Sequence, residues 1–285
     1  MRLGLRLPAP AKINLFLHVT GRRDDGYHRL ESVVVPIALA DTVTLTLRPD
    51  GVVRLLDPPE GLTETNDLAC RAARALQIAS GTPLGVDIHL IKRIPQGAGL
   101  GGGSSDAATT LLGLNRLWKL GRSRGQLRDI AATLGADVPF FVFGLPALAQ
   151  GIGEKLRAVT LPLMYVVIAS PGVSVATNAV FTHPKLARNT APMQTPVFTF
   201  AYGRNDLQPV ATTLAPEIGR LQHAFVNAGA TPKMSGSGSC VFALAHRADE
   251  AMQLQAALTR AGWRAWAVRT LGQHPLYCLT DGAII

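Results

Sequence analysis

Residues 94–108 read IPQGAGLGGGSSDAA, and five of these fifteen positions are glycine. Glycine inside a regular element costs about 0.5–1 kcal/mol relative to alanine, so such a cluster answers a steric demand. The demand is either backbone with positive φ or a ligand pressed against the main chain. Two serines and a helical pattern follow at once, with Ala108, Leu111, Leu112 and Trp118 on its apolar face. Free N–H groups and the positive end of the helix dipole make an anion the first expectation. Ser104 or Ser105 is expected to cap this helix, and Gly121 to close it.

Upstream, AKINLFLHV (11–19) alternates: Ala11, Ile13, Leu15, Leu17 and Val19 face one way, Lys12, Asn14, Phe16 and His18 the other. That pattern predicts a half-buried strand. RLESVVVPI, DTVTLTLRP and GVVRLLD read as further separate strands. Asn66 is expected to cap a helix through about Gln77, ended by Gly81. GVDIHLIKRI alternates as a strand that Pro95 stops. A second helix is expected near 124–134 with Gly135 as its left-handed stop, and GADVPFFVFG follows.

The second half reads as a β–α–α–β–α–β order, from LMYVVIAS through TNAVF, APEIGRLQHAFVNAG, KMSGSGSCVFALA and RADEAMQLQAALTRAG to WRAWAVRTL. This order predicts an α+β sandwich of ferredoxin-like layout. GIGEKLRAVTLP separates it from a β-rich first half, which places two domains at 1–157 and 158–285.

Composition sets the bounds. The 285 residues are 47% hydrophobic and 16% charged, as in a well-cored globular chain. No run of 18 apolar residues appears, so no membrane partner is expected. Lys12, Asn14 and His18 interrupt the apolar stretch behind Arg2 and Arg6, which argues against a leader and for a cytoplasmic location. Cys70, Cys240 and Cys278 lack metal-type spacing, so neither a disulfide framework nor a protein metal cluster is expected. The net charge of +9 admits a nucleic-acid binder, but the arginines are dispersed and a small polyanionic substrate suits the charge equally well.

The loop admits several readings. It is no Walker A loop, because no lysine follows its last glycine. Gly97, Gly99 and Gly102 match GxGxxG, yet the preceding strand is half polar and the next suitable acid, Asp129, lies within a helical pattern. A purely structural turn is the remaining plain alternative.

Three stretches together, PAKINLFLHVTGRRDDGYHRLESV, PQGAGLGGGSSDAA and KMSGSGSCVFAL, resemble the three motifs of the GHMP kinase superfamily in order and spacing. The resemblance spans Pro10 to about Leu244. It implies an α+β fold with an N-terminal ribosomal-S5-like domain and a C-terminal ferredoxin-like one, with ATP and substrate meeting between them. It also implies transfer of the γ-phosphoryl of ATP, carried with Mg²⁺, to the hydroxyl of a small molecule. The Tyr27–His28 pair points to a cytidine diphosphate-linked sugar alcohol as that substrate. Homoserine, mevalonate or sugar kinases of the same superfamily are the alternative, with a basic RNA-binding protein behind them. A monomer or weak homodimer without nucleic acid or membrane partners is expected.

Residue by residue, the resemblance implies that Pro95, Gln96, Gly97, Ala98, Gly99, Leu100, Gly101, Gly102, Gly103, Ser104 and Ser105 wrap the ATP phosphates, with Asn66 reaching the nucleotide. The loop Ser235–Ser239 supports the phosphates from the other side. Lys12 is one of only six lysines against twenty-two arginines and lies mid-strand. Beside a hydroxyl it would lower that group's pKa and neutralise the moving phosphoryl; a snorkelling strand lysine is the plain reading. Asn14 shares its face. Asp137 is placed as general base or positioner, against a plain role as helix cap. Tyr27 and His28 take the base, with Phe181 and Thr177 opposing them from the second domain. Asp106 is a candidate carboxylate for the metal.

Overall fold

The alternation around AKINLFLHV does make a strand, longer than the pattern: β1 runs Gly4–Arg22. The computed structural model describes residues 3–58, 61, 63–193 and 203–280. β1 pairs antiparallel with β2, His28–Arg48, around a turn where Gly26 (φ +88°) donates to the Arg23 carbonyl. RLESVVVPI and DTVTLTLRP are therefore one strand, not two. The ladder survives because a register shift at Pro10/Ala11 leaves Ala38 and Leu39 unmatched, so both strands bend together there.

On the far side of β2 the sheet grows at both ends. β3 (Val53–Leu56) and β4 (Gly85–Ile91) flank one end, joined by α1 (Leu68–Ser80); β5 (Ala147–Gly151) and β6 (Lys155–Ala158) form the other. α2 (Gly102–Leu117), α3 (Arg124–Ala132) and α4 (Val138–Phe143) cover one face, and Leu45, Leu76, Ile88, Leu111 and Phe141 fill the core between. GADVPFFVFG, to which the sequence reading assigned no element, holds α4.

Several ends differ from expectation, each for a local reason. Asp67, not Asn66, caps α1 by accepting from Cys70 N–H at 2.9 Å; Asn66 Oδ1 accepts from Thr63 N–H instead. α2 starts from Gly101 in left-handed geometry without a side-chain cap, so Ser104 and Ser105 lie inside its first turn. That helix ends at Leu117, before Gly121. α3 opens on a Ser123–Gln126 capping box and stops at Thr133, two residues before Gly135. β4 ends at Ile91, short of Pro95, because Asp41 takes the N–H groups of Arg93 and Ile94.

The second sheet is antiparallel throughout. β7 (Tyr165–Ser170), β8 (Lys233–Met234), β9 (Val241–Ala245) and β10 (Arg264–Arg269) stand in the order β10-β7-β9-β8. α5 (Thr177–Thr182), α6 (Gln208–Leu214) and α7 (Pro216–Asn227) precede β8, and α8 (Ala248–Arg260) precedes β10. This is the βαββαβ ferredoxin-like plan. The sequence reading missed β8 because two residues carry no period.

The sheets meet on β1. Leu17 N–H donates to Arg204 O (3.0 Å) and Leu17 O accepts from Asp206 N–H (2.8 Å), so the second half closes the strand's free edge. Ile13, Leu15, Ile37, Leu100, Ile168 and Phe242 form a core between the halves. The expectation of a half-buried strand therefore fails: Ala9–Val19 is buried on both faces.

Candidate active site

The two glycine-rich loops are built against each other. Lys12 N–H, on β1, donates to Leu100 O at 2.9 Å and ties the first loop to the strand. From the β8–β9 turn, Ser235 Oγ donates to Gly99 O (2.9 Å) and Cys240 N–H to Ala98 O (3.1 Å). Gly99 has φ +73°, and a Cβ there would stand 2.0 Å from the Ser235 carbonyl oxygen. A Cβ on Gly236 would lie 3.0 Å from Gly99 O and 3.2 Å from Lys12 Nζ. At these positions the bare backbone is demanded by the opposing loop before any ligand arrives.

Between this junction and the Tyr27–His28 turn lies a cleft of 1060 Å³, at the upper end of ordinary ligand pockets. Its walls include Lys12, Asn14, Tyr27, His28, Asn66, Asp137, Thr177 and Phe181, together with Pro95–Gly99 and Gly101–Ser104. Two residues expected among the phosphate contacts do not line it. Leu100 is a core side chain whose carbonyl is taken by Lys12, and Ser105 is wholly buried.

Lys12 is only 4% exposed, and its ammonium reaches the cleft floor. Nζ donates to Asn14 Oδ1 at 2.7 Å and stands 3.5 Å from Asp137 Oδ2, an acid 51% exposed. Asn14 is itself held: Nδ2 donates to Ser32 Oγ (2.8 Å), which donates to Phe16 O (2.6 Å). A charge this buried is stable only when partnered, so Lys12 is no snorkelling surface lysine. Asp137 occupies the N-cap position of α4 but makes no capping hydrogen bond. Its side chain turns to Lys12 instead, across 125 residues of sequence.

At the start of α2, Ser105 Oγ and Asp106 Oδ1 are buried without a hydrogen-bond partner. The other oxygen of Asp106 meets Lys92, which also pairs with Asp41. Burial pushes the Asp106 carboxyl up to about 7, with Asp41 adding to the effect and Lys92 opposing it. Taking the charged form out of water explains the rise, and the Lys92 ammonium only partly offsets it. Asp41 Oδ1 accepts from Arg93 and Ile94 N–H at 2.5 and 2.8 Å, fixing the approach to the glycine loop. Sequence reasoning passed over Asp41 and Lys92; the visible signal was a rare lysine just ahead of the loop.

At the other end, Tyr27 is 61% exposed and positioned by its N–H to Asp25 Oδ1 (3.1 Å). His28 is buried against Phe181, with ring centroids 5.2 Å apart and planes tilted 32°. Thr177 Oγ1 bonds Ser237 Oγ at 2.8 Å, linking α5 to the second loop. Arg188, also missed from sequence, lines the cleft and donates to His28 Nε2.

This arrangement sets two interlocked glycine-rich loops beside a lysine–aspartate pair. The descriptions "GHMP kinases N terminal domain" and "GHMP kinases C terminal" match residues 67–145 and 194–265. The chain belongs to the GHMP kinase family, whose members phosphorylate small molecules with ATP. Two curated relatives within it carry the same name. A 4-diphosphocytidyl-2-C-methyl-D-erythritol kinase from Azoarcus sp. (strain BH72) is 46% identical over 96% of both chains. One from Nitrosospira multiformis is 49% identical over 96% of this chain and 93% of that one.

A crystal structure titled 4-(cytidine 5'-diphospho)-2C-methyl-D-erythritol kinase aligns at TM-score 0.81 and 39% identity, covering 94% of this chain and 100% of the other. A homoserine kinase from Cytophaga hutchinsonii shares the fold at TM-score 0.68 and 18% identity, covering 96% of each chain. The high-identity matches favour the cytidine-linked substrate over the homoserine and mevalonate alternatives and over RNA binding. Among the described residues, no helix is long and apolar enough to cross a membrane.

Proposed function

We propose that this chain transfers the γ-phosphoryl of ATP to the 2-hydroxyl of 4-diphosphocytidyl-2-C-methyl-D-erythritol, a step of non-mevalonate isoprenoid precursor synthesis. The observation that carries this reading is the Lys12–Asp137 pair on the cleft floor, between the glycine-loop junction and the Tyr27–His28 turn. Asp137 takes or orients the hydroxyl proton. The buried ammonium of Lys12 stabilises the alkoxide and the charge on the moving phosphoryl. Asn14, fixed through Ser32, holds Lys12 in place, so little reorganisation is left for the reaction itself.

The triphosphate lies along Pro95–Gly99 and Gly101–Ser104, at the start of α2 where N–H groups favour an anion. Asn66 borders the nucleotide. Tyr27 and Phe181 flank the cytosine, His28 reads its edge, and Thr177 closes the site from the second half. Residues 1–157 supply the nucleotide side and 158–285 the opposing wall.

Mg²⁺ fits this site as a companion of the nucleotide. Among the described residues there is no group of three or more His, Cys, Asp or Glu able to hold a metal alone. Asp106, which lines the cleft and leaves Oδ1 unpartnered, offers the single carboxylate that a phosphate-bound Mg²⁺ would use. When bound, the ion neutralises phosphate charge. We assign the enzyme to the cytoplasm, as a monomer or weak homodimer; fractionation and sedimentation check this. The function is tested by a coupled ADP-release assay with the cytidyl substrate, homoserine and mevalonate side by side. Turnover confined to the cytidyl substrate is expected, and equal turnover of another alcohol overturns the reading.

A further inference from the structure

Arg188 joins His28, α5 and the cleft. Its Nε donates to His28 Nε2 at 3.0 Å. Its terminal nitrogens donate to Leu186 O (3.1 Å), Phe181 O (3.2 Å) and His183 O (2.9 Å). The guanidinium is thus clamped by the chain following α5 and has no freedom to leave the imidazole.

Arginine carries only donors and keeps its charge at any ordinary pH. The imidazole nitrogen facing it must therefore be an unprotonated acceptor, and the ring must be neutral. The single proton is left on Nδ1. Burial, Arg188 and Arg22 all lower the His28 pKa, in keeping with a neutral ring.

From this geometry we infer that Arg188 sets base specificity by locking His28 as an Nδ1–H donor, so that the cleft accepts a pyrimidine with a lone pair at N3 and rejects one with an N–H there. Cytosine has that lone pair; uracil has the N–H. The inference rests on the proposal above that His28 reads the base edge, and it adds why the edge is read as cytosine. Arg188 touches no reacting atom. It is a positioning residue, and the same clamp fixes the backbone of Phe181, so base stacking and edge reading are set together.

The test compares kcat/KM for the diphosphocytidyl substrate and its diphosphouridyl counterpart in the wild type, Arg188→Gln and Arg188→Lys. A single mismatched hydrogen bond is worth roughly tenfold, so the wild type should prefer cytidine by about that factor or more. Glutamine both donates and accepts, which frees the tautomer; the preference should shrink to within about threefold in Arg188→Gln. Lysine, a donor only, should retain it. Nitrogen-15 NMR of the folded wild type supplies a reading that needs no variant: His28 Nε2 should be unprotonated and Nδ1 protonated. A protonated Nε2, or an undiminished cytidine preference in Arg188→Gln, overturns the inference while leaving the kinase reading intact. Equal use of both bases by the wild type overturns the base-recognition reading together with it.

Discussion

The two ends of the cleft are made of different material. The glycine-loop end is built on backbone: the Ala98, Gly99 and Leu100 carbonyls are taken by Cys240 N–H, Ser235 Oγ and Lys12 N–H, and Gly99 admits no side chain. The other end is side chain: His28 meets Phe181 and Arg188 across the two halves, beside Tyr27 on the cleft wall. The phosphate donor is common to the GHMP kinases, so a loop built on backbone can serve it whatever the acceptor. The acceptor differs from one kinase to the next, and side chains can be exchanged without rebuilding a loop. Lys12 and Asp137 stand where the two constructions join.

The largest effect should come from that join. Asp137→Asn keeps the shape and removes the proton acceptor, and kcat should fall on the order of 10²–10⁴ with substrate Kd little changed. Lys12→Ala should match it, and the double variant should be scarcely worse, since residues acting as a unit are not additive. Single-turnover kinetics check both. Near-full kcat in Asp137→Asn would dissolve the distinction between join and walls.

Next come variants that separate the ends. Phe181→Ala or Tyr27→Ala should raise KM for the cytidyl substrate by roughly tenfold, base stacking being worth about 1–3 kcal/mol, with the ATP KM unmoved. A parallel rise in the ATP KM would show one shared site rather than two constructions. At the phosphate end, Gly99→Ala should lower stability by about 1–3 kcal/mol or more, as expected of strained left-handed backbone with a clash added. A Cβ on Gly103 meets only Leu68 at 3.6 Å, so Gly103→Ala should hold or slightly raise Tm. Thermal melts decide, and equal melts for the two variants would contradict the loop-on-loop account.

The smallest effect concerns pH. The folded His28 pKa lies below its ordinary value, through burial first and then Arg188 and Arg22. The folded state thus resists protonation, and this group costs stability only as pH drops below about 6.5. The cytidyl KM should therefore stay flat from pH 8 to about 6. A rise centred near 6.5 would mean an ordinary histidine.

Much of this was legible in the sequence because glycine and period are local signals. The loop 95–105, the strand carrying Lys12 and Asn14, and α7, α8 and β10 all follow from them. What escaped depends on tertiary company. β8 has two residues and no period. The cap of α1 moved to Asp67, since two adjacent polar residues compete for one position and only the fold decides between them. Lys12–Asp137 proximity came from family likeness rather than spacing. Arg188 was one arginine among twenty-two, and nothing in its neighbours marks it until α5 folds against His28.

The destination of the phosphate decides the reaction most directly. Incubation of the purified chain with ATP and the diphosphocytidyl substrate, followed by phosphorus-31 NMR, should show one new phosphomonoester on the 2-hydroxyl for each ADP released. The Asp137→Asn variant should show none on the same timescale. ADP release without that phosphomonoester, or a phosphomonoester formed as readily on homoserine or mevalonate, would contradict it.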